Sequence, residues 1–475
     1  MIKTCLSIFC MLMNYMLLSQ QSLPVLNELD EKEHYYGSLA LKIWDWAELG
    51  YLEFQSSALL QETLEKEGFT VNSGVAEIPT AFIASYGSGK PIIAILGEYD
   101  ALPGLSQDSL PTKKSLGKSA GHACGHHLFG VGSAAAAIAV KNWMQNSGQT
   151  GTLRYYGCPA EEGGSGKVYM TRSGLFDDVD IVIHWHPGSS NSANASSSLA
   201  NISAKFRFRG VSAHAAGAPE KGRSALDGVE AMNHMVNMMR EHVPDDTRIH
   251  YVITDGGKAP NVVPDFAEVY YYARSPRRSD LVNIWEWIVK ASEGAAMGTG
   301  TRVQHEIIGG VYEILPIESL ARIAHRHLEN VGGVHYDYHE IVFARKISES
   351  LTGSPEFSSF SHARVEPFEI KMRKGGGSTD VGDISWVVPT VGLRTATWVP
   401  NTPAHSWQAV AAGGMSIGRK GMMVAAKSMA LTAMDLFLNP DHIKEAWEEF
   451  ESKRGISFQY KALIGDRAPA LDYRK

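Results

Sequence analysis

Three short apolar runs, residues 92–96, 152–156 and 179–183, each give way to glycine, carboxylate or imidazole. The first is followed by Gly97-Glu98-Tyr99-Asp100. Gly157-Cys158-Pro159-Ala160-Glu161-Glu162-Gly163-Gly164 follows the second, and His184-Trp185-His186-Pro187 the third. Short continuous apolar runs read as strands buried on both faces, as in a parallel sheet. A helical pattern over 134–143 separates the first two, so strands and helices alternate and the class is α/β. In such sheets the ligand crevice lies beyond the carboxyl ends of the strands. The residues leaving these runs are therefore the first candidates for function.

The flanking segments define the organisation. Residues 30–68 are helical in pattern, with Gly68 placed as the C-cap. After a Ser/Asn/Ala-rich connector at 189–198, residues 202–209 alternate like a half-exposed strand, and Ser224-Ala225-Leu226-Asp227 resembles a capping box opening a helix. The methionines along that helix, Met232 and Met239 among them, read as core packing. Strand patterns at 249–254 and 267–273, a helix at 281–291 and a strand at 303–308 complete the order βαββαβ, a ferredoxin-like unit set inside a larger domain. The chain then returns through a helix at 319–328, a loop Gly375-Gly376-Gly377-Ser378-Thr379-Asp380, a strand at 391–395 and a helix at 419–437. The expected division is 23–198 and 312–475 for the larger domain and 199–311 for the insertion.

With 475 residues the chain has ample core for two domains, and neither disulfides nor a structural metal is needed for folding. A net charge of −7 without an extended basic run excludes the electrostatic footprint of a nucleic-acid binder, so the expected partners are small molecules. Lys3 and the apolar stretch 5–18 are too short for a membrane span and fit a signal peptide over residues 1–22. The expectation is export, periplasmic or secreted, with a cytoplasmic location the alternative and no membrane span in the mature chain. Removal of that leader would leave Cys124 and Cys158 of the 4 cysteines, too few for a disulfide framework.

His122-Ala123-Cys124-Gly125-His126-His127 is the densest group of reactive side chains. Thiolate and imidazole on either side of a glycine can converge on a metal from a tight turn. Glu161-Glu162 offers one carboxylate as ligand and a second as base for metal-bound water. His186 and His405, the latter in Thr402-Pro403-Ala404-His405-Ser406, can complete the set. A cysteine-nucleophile mechanism using Cys124 or Cys158 with a nearby histidine is the competing enzymatic reading.

Gly97-Glu98-Tyr99-Asp100-Ala101-Leu102-Pro103, His122 to His126, Pro159 to Gly164, Asn261-Val262-Val263-Pro264 and Pro403-Ala404-His405-Ser406 together resemble the co-catalytic metallohydrolase family of aminoacylases, hippurate hydrolases, auxin-conjugate amidohydrolases and glutamate carboxypeptidases. The likeness runs in order from about Leu39 to Ala433. It implies a discontinuous metallopeptidase-type α/β catalytic domain with an inserted ferredoxin-like lid and dimerisation domain. The implied activity is hydrolysis of the amide bond of an N-acyl or N-aroyl amino acid, with p-aminobenzoyl-glutamate the leading candidate. An aminoacylase or dipeptidase acting on another acyl-amino acid, or a non-catalytic subunit of a hydrolase complex, is the alternative.

The resemblance also implies roles. Cys124 corresponds to a ligand bridging two divalent ions, zinc or manganese, with His126, Glu162, His186 and His405 completing the two spheres. Glu161 corresponds to the general base. Asp100 and Glu98 correspond to residues that orient ligands, Glu98 standing where other branches have a ligating histidine. His214 matches a histidine that reaches across a dimer to the oxyanion, and Asn261 with Arg274 matches a pair that holds the substrate carboxylate. The partner subunit is a second copy or a homologous chain. His127 departs from a position usually Asp or Asn in the family, and it could bind the metal or a group behind it. His184 is expected on the opposite side of its strand or at the edge of the site, and Cys158 reads as a small apolar filler.

Overall fold

The computed structural model describes residues 21–353, 356–357, 360–372 and 376–474. The proposed leader, apart from residues 21 and 22, and Gly375 lie outside the described residues.

The helical pattern over 30–68 is carried by two helices, α1 (Glu33–Trp46) and α2 (Phe54–Lys66). Ala47 and Tyr51 separate them with φ of 48° and 65°, left-handed values that no right-handed helix contains. Gly68, with φ 89°, closes α2 through its N–H to the Glu65 carbonyl, as its position in the sequence requires.

The strands β1 (Thr70–Ser73), β2 (Phe82–Ser88) and β3 (Ile92–Glu98) lead to the long helix α3 (His126–Ser147). Then come β4 (Gly151–Cys158), the short helix α4 (Gly166–Arg172) and β5 (Ile181–Gly188). The inserted unit is built from β6 (Ala200–Arg209), α5 (Ala225–Met239), β7 (Arg248–Asp255), β8 (Phe266–Ser275), α6 (Arg278–Thr299) and β9 (Arg302–Val311). The chain returns through α7 (Glu318–Val331), β10 (Thr390–Ala396) and α8 (Ser416–Leu438).

One six-stranded sheet has the order β1-β2-β4-β3-β5-β10, parallel from β4 to β10 and antiparallel at the β1-β2 edge. Every residue of β3 is buried, which explains its unbroken apolar sequence. The alanines Ala134 to Ala137 let α3 sit close to its neighbours, and α3 packs on β3 and against α8. Helix α8 is long and apolar enough to cross a membrane, yet most of it is buried in this core.

The strand β5 extends five residues past the apolar run and takes His184 and His186 into the sheet. Their two-residue spacing places them on one face, not on opposite faces. His184 packs over Gly392 of β10, its register partner, where an added Cβ would lie 2.3 Å from the ring.

The second sheet has the order β7-β8-β6-β9, all antiparallel, with α5 and α6 packed together against it. This is the strand order of a ferredoxin-like βαββαβ unit. Its own core includes Phe206, Phe208, Met232, Met239, Tyr271 and Trp285. Ser224 caps α5 by accepting the Asp227 N–H at 3.1 Å.

Candidate active site

The cluster assembles where strand ends of the larger sheet meet the N-terminus of α3. Gly125 (φ 80°) turns the chain between Cys124 and His126, and an added Cβ there would lie 2.7 Å from Pro187. Glycine thus lets the turn press against the end of β5. Cys124 Sγ comes to 3.4 Å from His186 Nε2. His186 Nδ1 donates to its neighbour's carbonyl, Pro187 O, at 2.7 Å, which leaves the Nε2 lone pair for a ligand.

The loop after β4 carries Glu161 and Glu162 and is held by side chains from elsewhere. The Ala160 N–H donates to Glu53 Oε1 at 2.8 Å, and the Glu162 N–H to Asp100 Oδ2 at 2.8 Å. The Tyr51 hydroxyl donates to the Gly164 carbonyl at 2.6 Å. Ala160 and Ser165 bracket the loop with φ of 55° and 59°, and His405 takes 59°. Each left-handed non-glycine residue costs of order 1–3 kcal/mol and persists only where its surroundings over-determine it. Here the fixed hydrogen bonds supply that restraint. His405 is further tied by its N–H to the Ala123 carbonyl at 2.9 Å.

Three groups of ligand-type atoms result: Cys124 with His126 and His186, Cys124 with Glu162 and His405, and Glu98 with His126 and Glu161. Within each group the atoms lie within 4.8 Å of one another. Asp100 Oδ1, 2.8 Å from His126 Nδ1, directs the other ring nitrogen toward the cluster. His126 Nε2 and Glu98 Oε2 face each other at 3.1 Å, and His405 Nε2 and Glu162 Oε1 at 3.2 Å. Yet Glu98 Oε2, His126 Nε2 and Glu162 Oε1 are buried without a hydrogen-bond partner. Buried polar atoms are rarely left so, and converging sulfur, imidazole and carboxylate donors are a set that divalent cations satisfy.

Electrostatics agrees. Burial pushes the Cys124 thiol up, so a cation is what would keep it a thiolate. Desolvation, then the charges of Glu98 and Glu162, holds Glu161 well above the usual carboxylate value. Burial, then Arg394 and His126, keeps His186 neutral. His405 is raised by its contact with Glu162.

The remaining sequence candidates separate into two groups. His127 turns away from the cluster and pairs its Nε2 with the Gly413 carbonyl at 3.1 Å. Cys158 is a fully buried packing residue, and both it and Cys124 are free thiols. His214, Asn261 and Arg274 belong to the inserted unit, outside the three ligand groups. His214 and Asn261 adjoin, since the Ala215 N–H donates to the Asn261 carbonyl at 3.1 Å. Among the described residues Arg274 forms no ion pair, and its guanidinium lies 5.7 Å from the Tyr272 ring centre.

Sequence reasoning missed Glu53 and Lys167. Lys167, fully buried, lies 2.7 Å from both Glu98 Oε1 and Asp380 Oδ1. Burial works to lower its pKa, but Asp380 and Glu98 outweigh that and keep it protonated. The one sequence sign was Asp380 itself, in a glycine-rich loop of a returning segment.

An α/β sheet with ligand residues at its strand ends and an inserted ferredoxin-like unit defines an M20-type metallohydrolase, and the chain belongs to the M20 peptidase family. Residues 199–298 match the peptidase dimerisation domain of that family. Across 442 residues the chain is 41% identical to a component of the p-aminobenzoyl-glutamate hydrolase of Escherichia coli, covering 88% of this chain and 92% of that protein. The fold is shared with an aminobenzoyl-glutamate utilization protein from Klebsiella pneumoniae, at TM-score 0.61 and 16% identity over 86% of this chain and 97% of that one. It is also shared with a dinuclear metal binding peptidase of the M20 family from Bacillus subtilis, at TM-score 0.57 and 16% identity over 85% and 98% of the two chains.

Proposed function

We propose that the chain hydrolyses the amide bond of an N-aroyl amino acid, p-aminobenzoyl-glutamate, to p-aminobenzoate and glutamate. The observation that carries this reading is that Cys124 Sγ belongs to two ligand groups at once, one with His126 and His186 and one with Glu162 and His405. A shared thiolate between two cations offsets their repulsion, so these five residues would hold two divalent ions, zinc or manganese. When bound, such a pair brings the pKa of water toward neutrality and polarises the scissile carbonyl.

The chain's own residues supply the rest. Glu161, beside the ligand Glu162 on the same loop, takes the proton of the attacking water and delivers it to the leaving amine nitrogen. Asp100 fixes the His126 ring and the Glu162 backbone together. His214 Nδ1 accepts the N–H groups of Ala216 and Gly217 at 3.2 and 3.0 Å, so its Nε2 carries the proton and can donate to an oxyanion. Exposed on the inserted unit, it would serve the site of a partner subunit, a second copy or a homologous chain. Asn261 and the unpaired fork of Arg274 would hold the glutamate carboxylate. The name of the 41% identical relative supports the choice of substrate. The apolar stretch within residues 1–22 supports export.

Purified protein assayed with zinc or manganese against a panel of N-acyl and N-aroyl amino acids tests this. Preferential release of p-aminobenzoate is expected. Faster cleavage of another member would reassign the substrate, and no cleavage at all would point to a non-catalytic subunit.

A further inference from the structure

The segment that follows the helix Pro440–Arg454 touches both the inserted unit and the Glu161-Glu162 loop. Leu463 packs where an added Cβ at Gly310 of β9 would come within 2.8 Å, and Arg467 donates to the Ile308 carbonyl at 2.7 Å. Arg172, at the end of α4, holds the same segment through the Gly465 and Arg467 carbonyls at 2.7 and 2.8 Å. Farther on, the Tyr473 hydroxyl and an Arg474 guanidinium nitrogen both donate to the Glu162 carbonyl, at 3.1 and 2.7 Å. Tyr473 also meets Tyr51 edge-on at 5.5 Å, and Arg474 lies 4.8 Å over the Tyr473 ring. Gly50 makes room for this, since an added Cβ there would lie 2.2 Å from the Tyr473 hydroxyl.

Glu162 is thus gripped at both backbone ends. Its N–H is fixed by Asp100 and its carbonyl by two donors from a segment more than 300 residues away in the chain. The first clamp holds the peptide before Glu162 and the second the peptide after it, so loss of the second would loosen the backbone on one side of Glu162 although Glu53 and Tyr51 still hold the ends of the loop. Misplacement of a reacting group by about 1 Å can cost on the order of a hundredfold in rate.

We propose that Tyr473 and Arg474 are positioning residues that hold the Glu161-Glu162 loop in its ligating and proton-transferring geometry, and that the segment 461–474 ties this loop to the inserted unit. The inference rests on the two-metal reading of Glu162. The direct test compares wild type, Arg474→Met, Arg474→Lys and the double variant Tyr473→Phe/Arg474→Met. Zinc affinity is measured by competition with a chromogenic chelator, alongside kcat, KM and thermal midpoint.

In the double variant, zinc affinity should fall roughly 10- to 100-fold, as when other outer partners of ligands are removed. kcat should fall with it while KM moves by less than about threefold, because substrate contacts are untouched. Arg474→Met, which keeps the stem over Tyr473, should show part of the loss, and Arg474→Lys should recover part of that. Zinc affinity and kcat within about twofold of wild type in the double variant would overturn the inference alone. So would equal losses in Arg474→Lys and Arg474→Met accompanied by a lowered thermal midpoint, which would assign the segment to packing. A wild-type chain that binds no zinc would instead remove the metal reading and this inference together.

Discussion

The carboxylate of Asp100 joins two parts of the site, accepting the Glu162 N–H on one oxygen at 2.8 Å and meeting His126 Nδ1 on the other at 2.8 Å. With the proton of His126 on Nδ1 both partners donate, and an ionised carboxylate, an acceptor on both oxygens, satisfies them together. Asp100→Asn must turn its amide NH2 toward one of them. Metal affinity is expected to fall roughly 10- to 100-fold, measured by isothermal titration of metal-free protein, with the fold retained.

Glu161→Gln keeps the size of the proposed base and removes its proton chemistry. Turnover should fall by ~10²- to 10⁴-fold with metal content unchanged by elemental analysis. Retained turnover would remove Glu161 from the role.

Lys167 is the buried cation between Glu98 and Asp380. Lys167→Met leaves two carboxylates in the interior without their counter-charge, a loss expected to cost about 3–5 kcal/mol. Denaturant unfolding of the metal-free protein reads this directly, and a change below about 1 kcal/mol would show that the pairing contributes little.

Asp383, wholly buried, accepts the Tyr312 N–H at 3.0 Å and the Tyr460 hydroxyl at 2.7 Å, but desolvation lifts its pKa to about 7. Between the ordinary aspartate value of ~3.9 and about 7, the unfolded chain has released this proton and the folded chain has kept it. Asp383 therefore lowers stability as pH rises through that window, by up to ~1.4 kcal/mol per pH unit, and adds no further slope above it. Asp383→Asn should flatten this part of the stability profile, since Tyr460 can turn its hydroxyl to accept from the amide. An unchanged slope in the variant would contradict the assignment.

Much of this was legible before the structure. The strand exits at Gly97, Gly157 and His184 signalled the crevice, and Cys124-Gly125-His126 signalled convergence, because local turn chemistry is written in adjacent residues. Boundaries were less so. α3 begins at His126 instead of 134 because the glycines Gly130 and Gly132, which weaken a helical pattern, are there to admit Glu98 and Trp185 at close range. β5 runs on to Gly188 because β10 pairs with it throughout, which no local pattern records. Lys167, Glu53, Tyr473 and Arg474 were invisible for a related reason. Each reads as an ordinary polar residue, and only tertiary placement brings it to a carboxylate or carbonyl of the site.

The central claim is that one thiolate serves two ions. Its most direct measurement is the metal stoichiometry of purified wild type and Cys124→Ala, with p-aminobenzoyl-glutamate hydrolysis followed as metal is returned to chelated protein. Wild type should reach full activity as occupancy approaches two ions per chain, and Cys124→Ala should lose affinity at both positions together with activity. Two tightly held ions in Cys124→Ala, or full activity in wild type stripped of metal, would contradict it.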